Sequence, residues 1–205
     1  MIDIEKSQGL WTLRINRPDK ANALTAQMLE EIYEIVQDAQ NARALIITGS
    51  GKVFSAGADL EAAKAGLATS DVWERVSASI AKLPCLTIAA LNGTLAGGAF
   101  GMALACDLRL AVPTAKFFYP VMALGYLPQP SDPERMSALI GPARTKMILM
   151  AGQKLTAQEA LTYGLIDRIC TPETLLEMAY FLCDGALNAK PEHAMSIKQM
   201  CSPFS

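Results

Sequence analysis

The sequence predicts an α/β fold with mainly parallel strand pairing and a helical carboxy-terminal layer. Through the middle of the chain, short apolar runs alternate with segments of helical period, the pattern of strands joined by helical crossovers. From about Pro133 onward nearly every segment reads as helix. The expected division is therefore a core over residues 1–132 and a helical region over 133–205. With 205 residues, 51% of them hydrophobic, the chain suits one domain, with or without a small appendage, and has ample material for a buried core.

The elements follow in order. Trp11–Asn16 alternates apolar and polar residues as a half-buried strand does, and Gly9 turns it back on Ile2–Lys6 as an early hairpin. Met28, Leu29, Ile32, Ile35, Val36 and Ala39 recur at helical spacing behind Thr25, a suitable N-cap. Ala44–Thr48 is short, apolar and strand-like. A helix is expected from about Thr69 to Leu83, with Val72, Val76, Ile80 and Leu83 on one face and Pro84 as its stop. Leu86–Leu91 reads as a buried strand closed by the turn pair Asn92-Gly93. Gly97–Cys106 is expected to be a helix of small residues, with a strand at Leu108–Val112. Thr156-Ala157-Gln158-Glu159 is a capping box whose helix Gly164 stops. Thr171-Pro172 is expected to cap and start a helix running to about Ala189.

Composition excludes several classes. A formal net charge of −2 is wrong for a nucleic-acid surface. No run of eighteen apolar residues predicts a membrane span, and the acidic, alternating start Met1-Ile2-Asp3-Ile4-Glu5 is unlike a signal peptide. The five cysteines are dispersed through apolar stretches without metal-ligand spacing. They read as reduced, mostly buried thiols of a cytoplasmic protein.

Three loops carry the chemistry. Arg17-Pro18-Asp19-Lys20-Ala21-Asn22-Ala23-Leu24 opens the first helix, Phe54-Ser55-Ala56-Gly57-Ala58-Asp59-Leu60 follows the second strand region, and Asn92–Ala99 leads into the small-residue helix. In this order and spacing, together with Ala105-Cys106-Asp107-Leu108-Arg109 and Thr156–Ile166, they resemble the enoyl-CoA hydratase/isomerase (crotonase) family over about Leu10 to Met200. The resemblance implies a crotonase-like spiral of β-β-α units that is short at its carboxyl end. It also implies an acyl-CoA substrate, no cofactor apart from the coenzyme A of that substrate, and a homotrimer or hexamer. By resemblance the backbone N–H groups of Ala58 and Gly98 form an oxyanion hole for the thioester, the largest stabilising contribution in such chemistry. Lys20, Ala21, Ala56, Asp59 and Leu60 fall where the family holds the nucleotide and pantetheine. Small residues at Gly97-Gly98 also suit close helix packing, and Lys20 also suits a solvated loop. No G-x-G-x-x-G is present in this loop, so a dinucleotide reading fails.

The chain departs from the family where the acid/base groups belong. The first of the family's two glutamates corresponds to Gly101 and the second to Val121, and neither residue can transfer a proton. In the loop Leu127–Arg135, Asp132 is the best substitute acid/base, with Glu134, Tyr119 and Tyr126 behind it. Asp132 ahead of Pro133 equally suits a helix N-cap. His193, the single histidine, is expected at the surface, and no G-x-S-x-G elbow supports a serine triad. Isomerisation, decarboxylation or hydrolysis of a thioester fits this frame better than hydration. The rival reading is an inert acyl-CoA-binding or scaffold member of the family.

Overall fold

The computed structural model describes residues 1–201. Strands β1 (Ile2–Ser7) and β2 (Leu10–Ile15) form the expected antiparallel hairpin, with Ile2 opposite Ile15. Parallel neighbours extend it: β3 (Ala44–Gly49), β5 (Leu86–Leu91), β7 (Leu108–Ala111) and β10 (Arg168–Ile169), in the order β1-β2-β3-β5-β7-β10. A second sheet carries the short strands β4 (Val53–Ser55), β6 (Thr94–Ala96), β8 (Lys116–Phe118) and β9 (Leu155–Thr156). Each main-sheet strand of the middle of the chain thus passes to a short strand of the second sheet and then to helix. This is the spiral of β-β-α units that the resemblance implied.

The helices cover the sheets. Helix α1 (Ala26–Asp38) starts where expected: the Thr25 side chain accepts from the Met28 N–H, and Met28, Leu29, Ile32 and Val36 are buried. Two helices, α2 (Leu60–Lys64) and α3 (Val72–Ala81), follow β4. The helix expected from Thr69 therefore starts at Val72, after a 3₁₀ turn at Leu67–Thr69, though Val72, Val76, Ile80 and Leu83 are all buried as predicted. The expected helix Gly97–Cys106 divides into a 3₁₀ turn, Gly97–Ala99, and α4 (Phe100–Ala105).

After α5 (Val121–Leu124) comes α6 (Asp132–Leu149), which breaks at Gly141, and then α7 (Ala157–Tyr163) with its capping box and Gly164 stop intact. Helix α8 (Leu175–Asn188) begins later than Thr171-Pro172, because Thr174 donates its N–H to Thr171 O at 3.1 Å and closes a turn first. Helix α9 (Pro191–Cys201) is tied to the core by Lys198, whose Nζ donates to Cys85 O at 2.7 Å and pairs with Asp107 at 2.8 Å.

Strand β3 is buried along its whole length: it lies between β2 and β5 in the sheet, and both α8 and β4 pack against it. The one hydroxyl in β3, on Thr48, is satisfied by donating to Ala90 O at 2.7 Å. Arg109 explains the Cys106-Asp107-Leu108-Arg109 string. Its buried guanidinium donates to Leu165 O and Cys106 O and approaches Asp167, binding β7 to the segment that leads into β10. Among the described residues no helix is long and apolar enough to cross a membrane.

Candidate active site

The first loop is fastened by polar contacts to the second. Ala21 and Asn22 hold positive φ values of 50° and 54°. The buried Asn22 side chain accepts from Arg17 N–H at 2.9 Å and donates to Ser50 O and Val53 O at 2.9 and 2.6 Å. Ala56 N–H donates to Ala21 O, Leu24 N–H to Gly57 O and Asp59 N–H to Leu24 O, all within 2.8–3.0 Å. Asp59 is bound into this frame. Its carboxylate pairs with Arg17 at 2.8 Å and caps α2 by accepting from Glu61 and Ala62 N–H. The Arg17 hydrogen bond, and then the Ala62 N–H, hold its pKa below the ordinary carboxylate value.

Gly57 brings the second and third loops together. It sits at φ 90°, and a Cβ there would stand 2.9 Å from Ala96 O. A Cβ on Gly97 would in turn meet Gly57 Cα at 3.7 Å, so the two backbones pack directly on one another. On either side of this contact lie Ala58 and Gly98. Among the described residues neither N–H has a hydrogen-bond acceptor. For Gly98 the reason is its place in the first turn of a helix, where backbone donors are left over. The side chain excluded at Gly98 would collide with the indole of Trp73, at 3.1–3.2 Å. Trp73 itself lines the cavity beside Gly98, so a side chain at Gly98 would press on the cavity wall.

Ala58 and Gly98 line one cavity of about 160 Å³, together with Ala56, Leu60, Trp73, Val121 and the phenol-bearing Tyr119. A larger hollow of about 600 Å³ lies under α9, between Leu86, Leu139 and Ile197. Neither Ala58 nor Gly98 lines it. Lys20 stands exposed at the end of a 3₁₀ turn, and neither it nor Ala21 nor Asp59 contributes to the cavity wall.

Behind Tyr119 lies Asp132, and here the structure overturns the cap reading. Ser131 is the N-cap of α6, and the Asp132 side chain makes no cap bond. It is fully buried instead, with Oδ2 accepting from the Tyr119 hydroxyl at 2.9 Å and Oδ1 left without a partner. Burial pushes its pKa up to about 7. The Tyr119 bond and the positive Arg135 oppose the rise, and the negative Glu74 adds to it. Burial, and then the adjacent Asp132, hold the Tyr119 phenol above its ordinary range. The Tyr119 oxygen also accepts from Gln129 N–H at 3.3 Å, and its ring stacks on Phe100 with centroids 5.4 Å apart.

Gly101 makes room for this carboxylate, since a Cβ there would stand 3.1 Å from Asp132 Oδ1. Gly101, the position where the resemblance led one to expect a glutamate, therefore adjoins the buried aspartate. Sequence reasoning named Tyr119, Gly101 and Asp132 separately and missed that they meet. It also missed Trp73, which looks like an ordinary core residue. Glu134 and Tyr126 are exposed, Tyr126 at the cavity rim, and His193 is exposed on α9. Among the described residues no group of three or more His, Cys, Asp or Glu could hold a metal ion.

Comparison with known proteins bears on the family and the fold. The family model described as enoyl-CoA hydratase/isomerase matches residues 5–203. A crotonyl-CoA hydratase of Syntrophomonas wolfei is 37% identical over 188 residues, covering 85% of this chain and 71% of the relative. A short-chain-enoyl-CoA hydratase of Clostridium acetobutylicum is 31% identical over 209 residues, covering 96% and 78%. Among solved structures, an enoyl-CoA hydratase from Bacillus anthracis superposes with a TM-score of 0.89 at 30% identity, covering 98% of this chain and 82% of that one. With loops, sheets and sequence in agreement over nearly its whole length, the chain belongs to the enoyl-CoA hydratase/isomerase family.

Proposed function

We propose that this protein is an enzyme that binds an acyl-CoA thioester and stabilises its enolate between the N–H groups of Ala58 and Gly98. The observation that carries this reading is a pair of unpaired backbone donors, held by direct loop-to-loop contact, on a cavity that also presents a phenol. Donors fixed before the reaction meet the developing oxyanion without reorganising, and removing one such donor typically costs about 2.7–4 kcal/mol of transition-state stabilisation. Isomerisation, decarboxylation or hydrolysis suits the site, because Gly101 and Val121 offer no group to activate the water that hydration needs. Tyr119 in the cavity wall favours an enzyme over an inert thioester-binding protein, whose cavity needs no proton-bearing group.

The coenzyme A of the substrate is the only cofactor in this reading, and Lys20 and Ala21 belong to its grip on the nucleotide. A cytoplasmic trimer or hexamer is part of the same proposal. Exposed Met122, Leu124 and Leu127 support an assembly by offering apolar surface beside the cavity.

Thermal denaturation with hexanoyl-CoA, crotonyl-CoA, NAD and ATP tests the thioester reading. A ligand at a hundredfold excess over its Kd stabilises the native state by about 2.7 kcal/mol. The two thioesters should raise the Tm, and NAD and ATP should do so much less. A flat response to both thioesters would overturn the proposal.

A further inference from the structure

We infer that Tyr119 and Asp132 work as one proton-transfer unit, with Tyr119 exchanging the proton with the substrate and Asp132 holding it in the space that Gly101 leaves open. The inference rests on the thioester reading above and names the group which that reading left without a residue. Three observations carry it. The Asp132 carboxylate is fully buried, and among the described residues its only hydrogen-bond partner is the Tyr119 hydroxyl. Tyr119 lines the cavity of Ala58 and Gly98, whereas Asp132 does not, so a proton passing between cavity and carboxylate goes through the phenol. A buried carboxylate oxygen without a partner costs about 1–3 kcal/mol or more, and it persists here beside a glycine whose Cβ would crowd it. Such an orphan oxygen directly behind a residue of the cavity wall has the character of a working group.

The step balances without a further reactant. The thioester's α-C–H bond breaks and its electrons pass into the enolate, whose charge rests on the oxygen facing Ala58 and Gly98. The proton forms a new O–H bond on Tyr119 Oη while the proton already there moves to Asp132 Oδ2, turning carboxylate into acid. The phenol never stores negative charge, which suits a group whose burial and anionic neighbour oppose ionisation. Reversal returns the proton to carbon. The charged groups around the pair are Arg135, on α6 with Asp132, and Glu74, which faces it from α3; α4 contributes the uncharged Phe100 and Gly101. Asp132 is thus a positioning and proton-holding residue, and Tyr119 is the one that touches substrate.

Hexanoyl-CoA incubated with the protein in D₂O tests the pair, because deuterium entering at the α-carbon, read by mass spectrometry, reports enolate formation whatever the later chemistry. Tyr119→Phe keeps the ring stacked on Phe100 and removes only the hydroxyl, and Asp132→Asn removes only the proton store. Each should slow exchange by about 10²–10⁴-fold, the usual contribution of a positioned acid or base. Binding of hexanoyl-CoA by calorimetry should change by less than about threefold, within about 0.7 kcal/mol. Wild-type exchange should rise with pH through about 7, and Asp132→Asn should lose that rise. Exchange at the wild-type rate in Tyr119→Phe, or wild-type protein that binds hexanoyl-CoA and exchanges nothing, overturns the pair alone. Wild-type protein that binds no hexanoyl-CoA overturns the thioester reading itself.

Discussion

In an unfolded chain Asp132 ionises near 3.8, and in the fold burial moves that value to about 7. A raised acid pKa means that the folded protein holds the proton more tightly. The resulting stabilisation is complete below about pH 3.8, declines as pH rises, and is gone above about pH 7. A displacement of roughly three pH units corresponds to about 4 kcal/mol at about 1.4 kcal/mol per unit. Urea titrations of wild type and Asp132→Asn should therefore diverge in slope with pH. The wild-type unfolding free energy, relative to the variant, should fall by about 4 kcal/mol between about pH 4 and about pH 8. Parallel curves would mean that Asp132 is already ionised at low pH. The residue was legible in the sequence only as one of two alternatives, a cap or a base. Its thirteen-residue separation from Tyr119 and its fit above Gly101 are facts of tertiary packing that no local period encodes. Ala58 and Gly98 were named from the resemblance of their loops, and the structure places both on one cavity with N–H groups that no acceptor among the described residues takes.

At the scale of elements, α6 is the one that carries Asp132 into place, and it is not continuous. Gly141 sits inside it at φ 79° and ψ 160°, with Pro142 opening the second half. That conformation is essentially closed to other residues, yet a Cβ on Gly141 would meet nothing within 4 Å. Gly141→Ala therefore isolates the backbone cost from any clash. It should destabilise the protein by about 1–3 kcal/mol with an unchanged m-value in urea. No loss would show that the two halves can realign into one helix. Long or strictly patterned elements were readable in advance: the hairpin, α1 behind Thr25, β3, β5, and α7 between its capping box and Gly164. The misses share a physical cause. Strands β4, β6 and β8 are three residues long and α2 is five, too short for a period of 2 or 3.6 to repeat. The late start of α8 reflects a threonine turn competing with the Thr171-Pro172 signal.

The whole molecule can be probed through its thiols. Cys85, Cys106, Cys170 and Cys183 are buried and Cys201 is exposed on α9. Burial pushes the pKa of Cys85 up to about 11 and those of Cys106 and Cys183 up to about 12, so little thiolate is present there at neutral pH. A thiol reagent should label one cysteine quickly in the native protein and all five in denaturant, the slow four reporting opening of the core. Rapid labelling of two or more would show that α8 or α9 parts easily from the sheet. The spiral itself was not visible as a sequence repeat, because its turns differ in their helices: two follow β4, while a single six-residue helix follows β6. The resemblance of the loops supplied what the period could not.

The contact between Gly57 and the Ala96–Gly97 backbone has a consequence for how such a protein can change over generations. The donors of the proposed thioester site are main-chain atoms, present whichever side chains surround them, so substitution at most positions leaves them in place. The proposed proton-handling pair comes from another part of the chain, residues 119–135, and meets these loops through the stacking of Tyr119 on Phe100 and the shared cavity. On that proposal a lineage can exchange one acid for another there while the backbone donors keep their place. On the proposed reading Gly101 beside Asp132 is such an exchange, and the reaction is freer to change than the ligand class.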